Sequence, residues 1–416
     1  MKTVIRTGVM SSKRLVFVVC LAQVLVQVGA FVWPALLPDM ITLWGLSNSE
    51  AGWITAMFYG AYMVSVPILV TLTDRIDAKI IYLFGVAVMV LGHLVFVFVA
   101  DGFATAMLAR ALAGIGWAGT YMTGLKLLAD RVDGKLMSRA VAGHAASIGI
   151  SGALSFSIAA GLAAYGGWQL AFAVSAATAA LAWMIIAMFA PWRDKAQKVA
   201  RSAGPIFNFG PVFRNRSAMA YAFVYCIHTL EMSALRGWGV AFLVFVAAST
   251  GTSTTALSPT FVATVLALIG ALASIAGNEG SIRFGRRRLI VLAMLGSILI
   301  GSMIGFIGSM SYPMAVGLML VYGMVIWLDS SSLTAGTAGS AEPERRGATL
   351  AVHSMLGYAG GFVGPLIVGF TLDAAGGHSS FAWGIAFLAV ASLMTVALVV
   401  FVAIKPRELA GDRGGG

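Results

Sequence analysis

The sequence predicts an all-α membrane protein in which 12 transmembrane helices form two pseudo-symmetric six-helix bundles. Three observations predict this fold: the composition, the recurrence of apolar runs and the one-sided distribution of basic residues. Of the 416 residues, 59% are hydrophobic and only 10% are charged. That is too little polar surface for a soluble chain of this length. We therefore expect the chain to lie in a lipid bilayer.

Apolar runs long enough to cross a bilayer recur along the whole sequence. The first follows a basic segment, as a secretory signal does, but it is too long for the apolar part of such a signal. A stretch at 191–217 that contains proline and arginine predicts a linker. We thus expect an N-terminal bundle over 1–190 and a C-terminal bundle with a short tail over 218–416. In order, the runs are 15–37, 52–72, 80–100, 103–128, 140–164, 170–190, 218–247, 260–281, 289–308, 313–338, 348–372 and 381–403.

Lysine and arginine residues lie almost entirely at one end of the predicted helices. If the helices alternate in direction, all of the 27 basic residues fall on one side except Arg110, Lys126 and Arg236, which lie in or at the end of helices. This distribution follows the positive-inside rule. It predicts a multi-pass protein of the cell inner (plasma) membrane with both termini and the linker in the cytoplasm. The net charge of +11 and the segment RFGRRR (283–288) then imply no nucleic-acid partner.

The two predicted bundles also resemble each other in sequence. A shift of 208 residues places the loop segment DRIDAK (74–79) on IRFGRR (282–287). The same shift superimposes three glycines of the fifth run, Gly149, Gly152 and Gly161, on glycines of the eleventh run. One offset that holds for two unrelated elements indicates two parallel repeats, which is the arrangement found in one class of secondary transporter.

Five short motifs occur in an order that resembles the major facilitator superfamily of transporters. The loop TDRIDAK (73–79) is similar to the family's acidic and basic loop, although Asp77 stands where glycine is usual. The equivalent loop IRFGRRR (282–288) keeps the glycine and the arginines but has Ile282 in place of the acid. The other motifs are RALAGIGWAG (110–119), YGGWQLAF (165–172) and ERRGATLAVHSMLGYAGGFVGP (344–365).

This resemblance implies a mechanism and a gate. It implies that the first, fourth, seventh and tenth helices line a central cavity, and that the two bundles rock to give alternating access. The arginine and spaced glycines of the fourth helix are similar to those of many proton-driven members. The resemblance also implies a cytoplasmic gate network, for which we expect Asp74, Arg75, Arg283, Arg345 and Arg346.

Charged residues inside the predicted spans mark the candidate site. Arg110, Glu231, Arg236 and Asp329 all lie on helices that the resemblance assigns to the cavity. A charge near the middle of a bilayer costs at least about 2.5 kcal/mol on insertion scales, so such a residue faces a wet cavity or a partner. The four residues are therefore candidates for binding the substrate or a proton.

The two arginines supply fixed positive charge suited to a carboxylate or a similar oxyanion. Gln23 and Gln27, one turn apart on the first helix, add uncharged donors and acceptors. The 208-residue shift pairs Gln23 with Glu231 and Tyr121 with Asp329, so a neutral bundle faces an ionisable one. We expect the substrate-binding residues to be Arg110, Arg236, Gln23, Gln27, Tyr121 and Trp238.

Proton coupling requires a buried group that changes its protonation state. We expect Glu231 in this role, with His228 one helical turn away and Asp329 on the tenth helix. Three structural alternatives stay open at this point. Arg110 can brace its helix against backbone carbonyls, Glu231 can form a purely structural salt bridge with Arg110, and His228 can be a packing residue.

The expected function is proton-coupled secondary transport, as symport, of a small organic anion. One alternative is a proton-antiport exporter of a drug or apolar metabolite, which two cavity arginines disfavour. A second is a non-transporting membrane receptor on the same scaffold. An enzyme is not expected, because no nucleophile–base or metal-binding constellation occurs. We expect no cofactor and no metal; the partners are the substrate, protons and the lipid bilayer, and the chain is expected to be a monomer.

One further motif has a structural interpretation. The pattern Gly114-x-Gly116-x-x-Gly119 matches the dinucleotide-binding fingerprint, but it lies inside a predicted helix with no strand before it. Small residues at this spacing allow two membrane helices to pack closely. The motif therefore predicts helix packing and no nucleotide site.

Overall fold

The computed structural model describes residues 11–73, 75–132, 134–192, 209–254 and 257–413. These ranges are helical and contain no strand, which confirms the all-α fold class. The α-helices are α1 (Ser12–Gln27), α2 (Val32–Trp44), α3 (Asn48–Leu72), α4 (Ala78–Phe98), α5 (Phe103–Ala129), α6 (Gly134–Phe189), α7 (Gly210–Arg214), α8 (Arg216–Ser249), α9 (Pro259–Phe284), α10 (Arg286–Ile307), α11 (Tyr312–Leu328), α12 (Ser330–Ser340), α13 (Arg346–Ala374) and α14 (Ser380–Ile404). Below, α1–α6 are the N-terminal helices and α8–α14 the C-terminal helices.

Within the described ranges, 10 helical segments are long and apolar enough to cross a membrane. The segment Arg139–Phe189 contains two helices joined across a kink, at which Gly166 and Gly167 have non-helical backbone angles. The 27-residue helix α5 has the length of a span but is not one of the 10. A total of 12 spans stays a prediction, with α5 and the second part of α6 as the two additional candidates.

The first predicted span, 15–37, is interrupted. Helices α1 and α2 are separated at residues 28–31, and such a break leaves backbone groups without helical partners inside the bilayer. Ser155 of α6 binds two of them: its hydroxyl donates to the Val28 carbonyl at 2.5 Å and accepts from the Phe31 amide at 2.9 Å. A single serine from a distant helix therefore stabilises the break.

The tenth predicted span is interrupted as well, at Asp329 between α11 and α12. The carbonyl of the preceding residue, Leu328, faces Gly277 of α9. A Cβ atom built on Gly277 would lie 1.7 Å from that carbonyl oxygen, so only glycine fits at this contact. Both interrupted helices contribute side chains to the candidate site.

Close backbone contacts place α13 against helices from both ends of the chain. On one side, a Cβ atom on Gly360 would lie 1.8 Å from the Cys226 carbonyl of α8. On the other side, a Cβ atom on Gly52 of α3 would lie 2.8 Å from the Pro365 carbonyl. Glycine at these positions lets the backbones approach where a side chain would hold the helices apart.

The glycine motif of α5 has the packing role predicted from the sequence. A Cβ atom on Gly114 would lie 2.2 Å from the Phe58 carbonyl of α3, and one on Gly119 would lie 2.7 Å from the Gly85 Cα atom of α4. The motif lies within α5, with helix before and after it. The interpretation as helix packing is therefore confirmed.

Hydrogen bonds to Asp373, at the end of α13, join the N-terminal and C-terminal helices at one end of the bundle. Its carboxylate accepts from the Asn48 amide N–H (3.1 Å) and side-chain amide (2.8 Å), and from the Ser49 amide N–H (2.7 Å) and hydroxyl (2.5 Å). These donors lie at the N-terminus of α3, where the helix dipole favours negative charge. We call Asp373, Asn48 and Ser49 the Asp373 latch.

His378 adds a further contact to the latch. Its ring Nε2 lies 2.7 Å from the Asn48 side-chain oxygen. Burial lowers the pKa of this imidazole, against a smaller opposing effect of the Asp373 carboxylate. The ring is therefore neutral at pH 7, and its Nε2–H donates to Asn48.

We expect Asp373→Ala to open this end of the molecule, because the variant removes the acceptor of all four hydrogen bonds. Spin labels on cysteines introduced at Thr42 and Ala374, both exposed, should show a longer and broader distance distribution by double electron–electron resonance. The matched control is Asp101→Ala, because the hydrogen bonds of Asp101 join it to Thr105 of its own loop and not to the other set of helices. An unchanged distribution in Asp373→Ala would show that the latch does not hold this end closed.

The opposite end, called the basic end, carries ion pairs within each set of helices. Asp77 accepts from the Lys79 amide at the start of α4 and pairs with Arg131 at 2.9 Å. The acid that departs from the family pattern thus caps a helix and binds a neighbouring loop. Among the C-terminal helices, Arg286 is buried and pairs with Asp412 of the tail at 2.8 Å.

Four of the five expected gate residues lie in the described ranges, whereas Asp74 lies outside them. Arg75 and Arg346 are exposed. Arg283 and Arg345 pair with glutamates four and three residues away in the chain. At the basic end, the ion pairs between described residues do not link the N-terminal to the C-terminal helices. The gate network stays a prediction.

Candidate functional site

Arg110 of α5 is buried, with 2% of its surface exposed. Its Nη1 donates to the Ala30 carbonyl in the break between α1 and α2, at 3.2 Å. Its guanidinium lies over the Phe58 ring, 4.3 Å from the ring centroid, an arrangement in which the ring quadrupole attracts the cation. The Nε atom has no hydrogen-bond partner among the described residues. Arg110 therefore braces the backbone and still has a free donor.

Arg236 of α8 is partly buried and lies between two aromatic rings. Its guanidinium carbon is 5.0 Å from the Phe31 centroid and 4.7 Å from the Trp327 centroid. The Tyr59 side chain of α3 interacts with both Arg236 and Arg110. We call Arg110 and Arg236 the arginine pair.

The arginine pair has no acidic partner in the described part of the chain. The ion pairs of the described residues involve other cations. Cation–π contacts shield the two charges from hydrocarbon but do not neutralise them. Two positive charges inside an apolar bundle therefore remain available to an anion.

Glu231 of α8 binds side chains of α10 and α11. Its Oε1 atom accepts from the Ser297 hydroxyl at 2.6 Å and from the Tyr322 hydroxyl at 2.7 Å. Its Oε2 atom has no partner among the described residues. A structural salt bridge between Glu231 and Arg110 is not formed among the described residues, and the carboxyl group has neutral partners and one oxygen without a partner.

His228 and Asp329 form a buried pair of titratable residues close to Glu231. The ring Nδ1 lies 2.9 Å from the Asp329 Oδ1, although the N–H direction misses hydrogen-bond alignment, so both atoms lack a hydrogen bond in the described structure. The ring of His228 also meets the edge of Trp327 at 6.3 Å between centroids. Trp327 therefore contacts both the imidazole and the guanidinium of Arg236.

Two glutamines of α1, Gln23 and Gln27, are neutral side chains that bind hydroxyl groups as Glu231 does. Gln23 Oε1 accepts from the Tyr82 hydroxyl of α4 at 3.1 Å, and Gln27 Oε1 accepts from the Ser151 hydroxyl of α6 at 3.1 Å. Both glutamines are fully buried, and both Nε2 groups lack partners among the described residues. The 208-residue shift pairs Gln23 with Glu231. Gln23 binds a hydroxyl of α4 and Glu231 binds a hydroxyl of α10, and each of these helices is the third predicted span of its bundle.

The two aromatic residues expected at the site have different surroundings. Tyr121 stacks on His144 at 5.2 Å between centroids, and its carbonyl lies 2.8 Å from that ring's Nε2. Trp238 packs against Trp383, and its N–H donates to the Pro365 carbonyl at 3.0 Å. The indole that contacts Arg236 is Trp327, which the sequence did not indicate.

Tyrosines form a layer between the two sets of helices that the sequence also did not indicate. Tyr62 of α3 stacks on Tyr358 of α13 at 3.6 Å between centroids, and Tyr225 of α8 stacks on His353 at 3.9 Å. A search for uncharged polar side chains within spans, in addition to charges, would have found them. Tyr225 and Tyr358 lie near Arg236, and Tyr59 lies near both members of the arginine pair.

A narrow cleft adjoins Arg236. It encloses about 20 Å³, which is room for about one water molecule. Apart from Arg236 its lining is apolar: Phe156, Met232, Leu235, Gly239, Val240, Ala263, Leu266, Ala267, Met319, Ile326 and Trp327. A substrate therefore needs a conformation in which these helices move apart.

The chain matches a known protein family over most of its length. A family model described as Major Facilitator Superfamily matches residues 19–365. The chain is 24% identical over 189 residues to "Uncharacterized MFS-type transporter YbcL" of Bacillus subtilis (strain 168). That match covers 44% of this chain and 47% of the relative, which is about half of the relative's length.

Two solved structures are similar over almost the whole chain. One is a bacterial homologue of the human lysosomal transporter Spinster in an inward-facing and occupied conformation, with a TM-score of 0.76, 17% identity, and 96% of this chain and 98% of that chain covered. Another is the nucleoside transporter NupG, with a TM-score of 0.72, 13% identity, and 95% and 99% covered. At these identities the likeness shows the fold.

Proposed function

The chain belongs to the Major Facilitator Superfamily of transporters, and from that membership we propose that it moves a small organic anion together with protons by alternating access. Family and fold together indicate a multi-pass membrane transporter rather than an enzyme. We further propose an inner-membrane monomer with the basic end in the cytoplasm, as the positive-inside rule predicts. The rocking units are 1–190 and 218–416, joined by the linker at 191–217.

One observation carries the proposed substrate charge: Arg110 is buried and Arg236 is partly buried, and neither guanidinium has a carboxylate partner among the described residues. An unpaired cation in an apolar interior is costly, and an anionic substrate would supply the missing charge through charge-assisted hydrogen bonds. Tyr59, which interacts with both guanidinium groups, would add a neutral donor. Gln23 and Gln27, whose amide donors have no partner among the described residues, would supply further donors to an oxyanion.

The proposed proton carrier is Glu231. Its carboxyl group is buried, and among the described residues one of its oxygens has no partner while the other accepts from two hydroxyl groups. Such a group can take up a proton without breaking an ion pair. His228 and Asp329 lie close by, and Trp327 bridges His228 to Arg236, so substrate binding at the arginine pair can influence the proton site.

We expect anions, and not amines or apolar drugs, to stabilise the purified full chain in detergent. A ligand that binds only the folded state at 100 times its Kd adds about 2.7 kcal/mol, which a thermal unfolding curve resolves. Sodium chloride at equal ionic strength is the control for salt effects. Stabilisation by lipophilic cations alone would contradict the proposed substrate class and favour a drug exporter.

A further inference from the structure

An open groove lies at the basic end between α10 and α14, on the outer surface of the C-terminal helices. It encloses about 910 Å³, far more than the cleft beside Arg236. Its apolar lining comes from both helices and from the end of α9: Phe284, Leu289, Val291, Leu292, Phe401 and Val402. Its polar lining is mainly basic: Arg287, Arg288, Lys405 and Arg413, with Glu408 as the one acid among the lining residues.

The acids near the groove already have partners. Glu408 accepts from the Arg286 and Arg287 amides at the N-terminus of α10 and lies 3.4 Å from the Arg287 side chain. Asp412 is buried and paired with Arg286. Arg288 and Lys405 are exposed and have no ion pair with any described carboxylate. The groove therefore has an uncompensated positive charge.

The apolar lining continues along the outer faces of the same two helices. Leu292 and Leu299 of α10 are 68% and 62% exposed, and Val399 and Val402 of α14 are 63% and 48% exposed. Exposed aliphatic surface on membrane-spanning helices contacts acyl chains. The basic residues thus lie where the exposed apolar surface of α10 and α14 ends.

We propose that this groove binds an anionic phospholipid, with its phosphate between Arg288 and Lys405 and its acyl chains along α10 and α14. Charge complementarity favours this occupant, because a basic rim joined to an apolar floor matches a phosphate joined to hydrocarbon. A soluble anion would use the rim but not the floor. A second copy of this chain would bring the same positive charge to the groove and be repelled.

Native mass spectrometry of the full chain tests the proposal, with phosphatidylglycerol and phosphatidylcholine of identical acyl chains as probes. We expect the wild-type chain to retain phosphatidylglycerol preferentially. In the double variant Arg288→Gln, Lys405→Gln, the ratio of retained phosphatidylglycerol to phosphatidylcholine should fall roughly tenfold. The double variant Arg139→Gln, Arg216→Gln removes two exposed basic residues elsewhere at the basic end and should keep it.

A third variant separates shape from charge. Val402→Trp fills the groove without changing its charge and should reduce the retention of both lipids. Full phosphatidylglycerol preference in Arg288→Gln, Lys405→Gln would overturn the proposal, as would an equal loss in the control variant. Equal displacement of the lipid by inorganic phosphate would assign the site to a free anion, and dimers in phosphatidylcholine would assign it to a second copy.

Discussion

We expect Glu231→Gln to abolish substrate accumulation driven by a pH gradient while leaving exchange of substrate across the membrane intact. Glutamine keeps an oxygen to accept from Ser297 and Tyr322 but cannot bind or release a proton. Exchange needs no net proton movement, so a variant locked in the neutral form still carries substrate both ways. Accumulation and counterflow measured in the same proteoliposomes separate the two properties, with accumulation falling to its level without a gradient.

The matched control is Glu50→Gln at the start of α3. Glu50 forms a capping box with Ser47, and glutamine also serves in that motif, so both accumulation and counterflow should be unchanged. Loss of both activities in Glu231→Gln, with a lower unfolding temperature, would indicate a structural role. Full gradient-driven accumulation would exclude Glu231 as the carrier and make Asp329 the next acid to test.

Arg236→Gln should weaken the binding of an anionic substrate by about 100-fold. Loss of a charge-assisted hydrogen bond in a buried site removes about 2–3 kcal/mol, which corresponds to roughly that change in Kd. Isothermal titration calorimetry with an anion found by the thermal screen measures it. Arg236→Lys keeps the charge but not the planar fork and should retain part of the affinity.

Arg216→Gln, at the exposed start of the same helix, is the control and should bind normally. Arg110→Gln should differ from Arg236→Gln, because Arg110 also holds the Ala30 carbonyl; we expect it to lower both affinity and thermal stability. Unaltered affinity in Arg236→Gln would place the anion site elsewhere.

The helices themselves could be predicted because bilayer thickness imposes a length on each apolar run. The run 260–281 corresponds to Pro259–Phe284, and 381–403 corresponds to Ser380–Ile404. The break at 28–31 could not be predicted, because its stability comes from Ser155 of a helix more than 100 positions later. Local sequence does not contain that information.

The charged residues of the site could be predicted for a similar reason, since a charge inside a bilayer is rare and conspicuous. The hydrogen-bond partners of these charged residues could not be predicted. Ser297 and Tyr322 are ordinary residues in apolar helices, and only tertiary packing brings their hydroxyls to Glu231. In the same way, Trp238 and Trp327 both lie in spans that the sequence assigns to the cavity, so the sequence does not distinguish them. The packing of α8 against α11 places Trp327, and not Trp238, on Arg236.

The backbone contacts of α13 have a mechanical consequence. At Gly52 the α13 backbone meets α3 of the other rocking unit directly, whereas the Gly360 contact joins α13 to α8 within one unit. Helices that interlock through bulky side chains must repack before they can shift, whereas smooth surfaces can slide. We infer that α13 moves with α8 as one body and that its crossing with α3 at Gly52 can shift with little repacking. The Tyr62–Tyr358 stack and the Asp373 latch are then contacts between α3 and α13 that must break when the two units move apart.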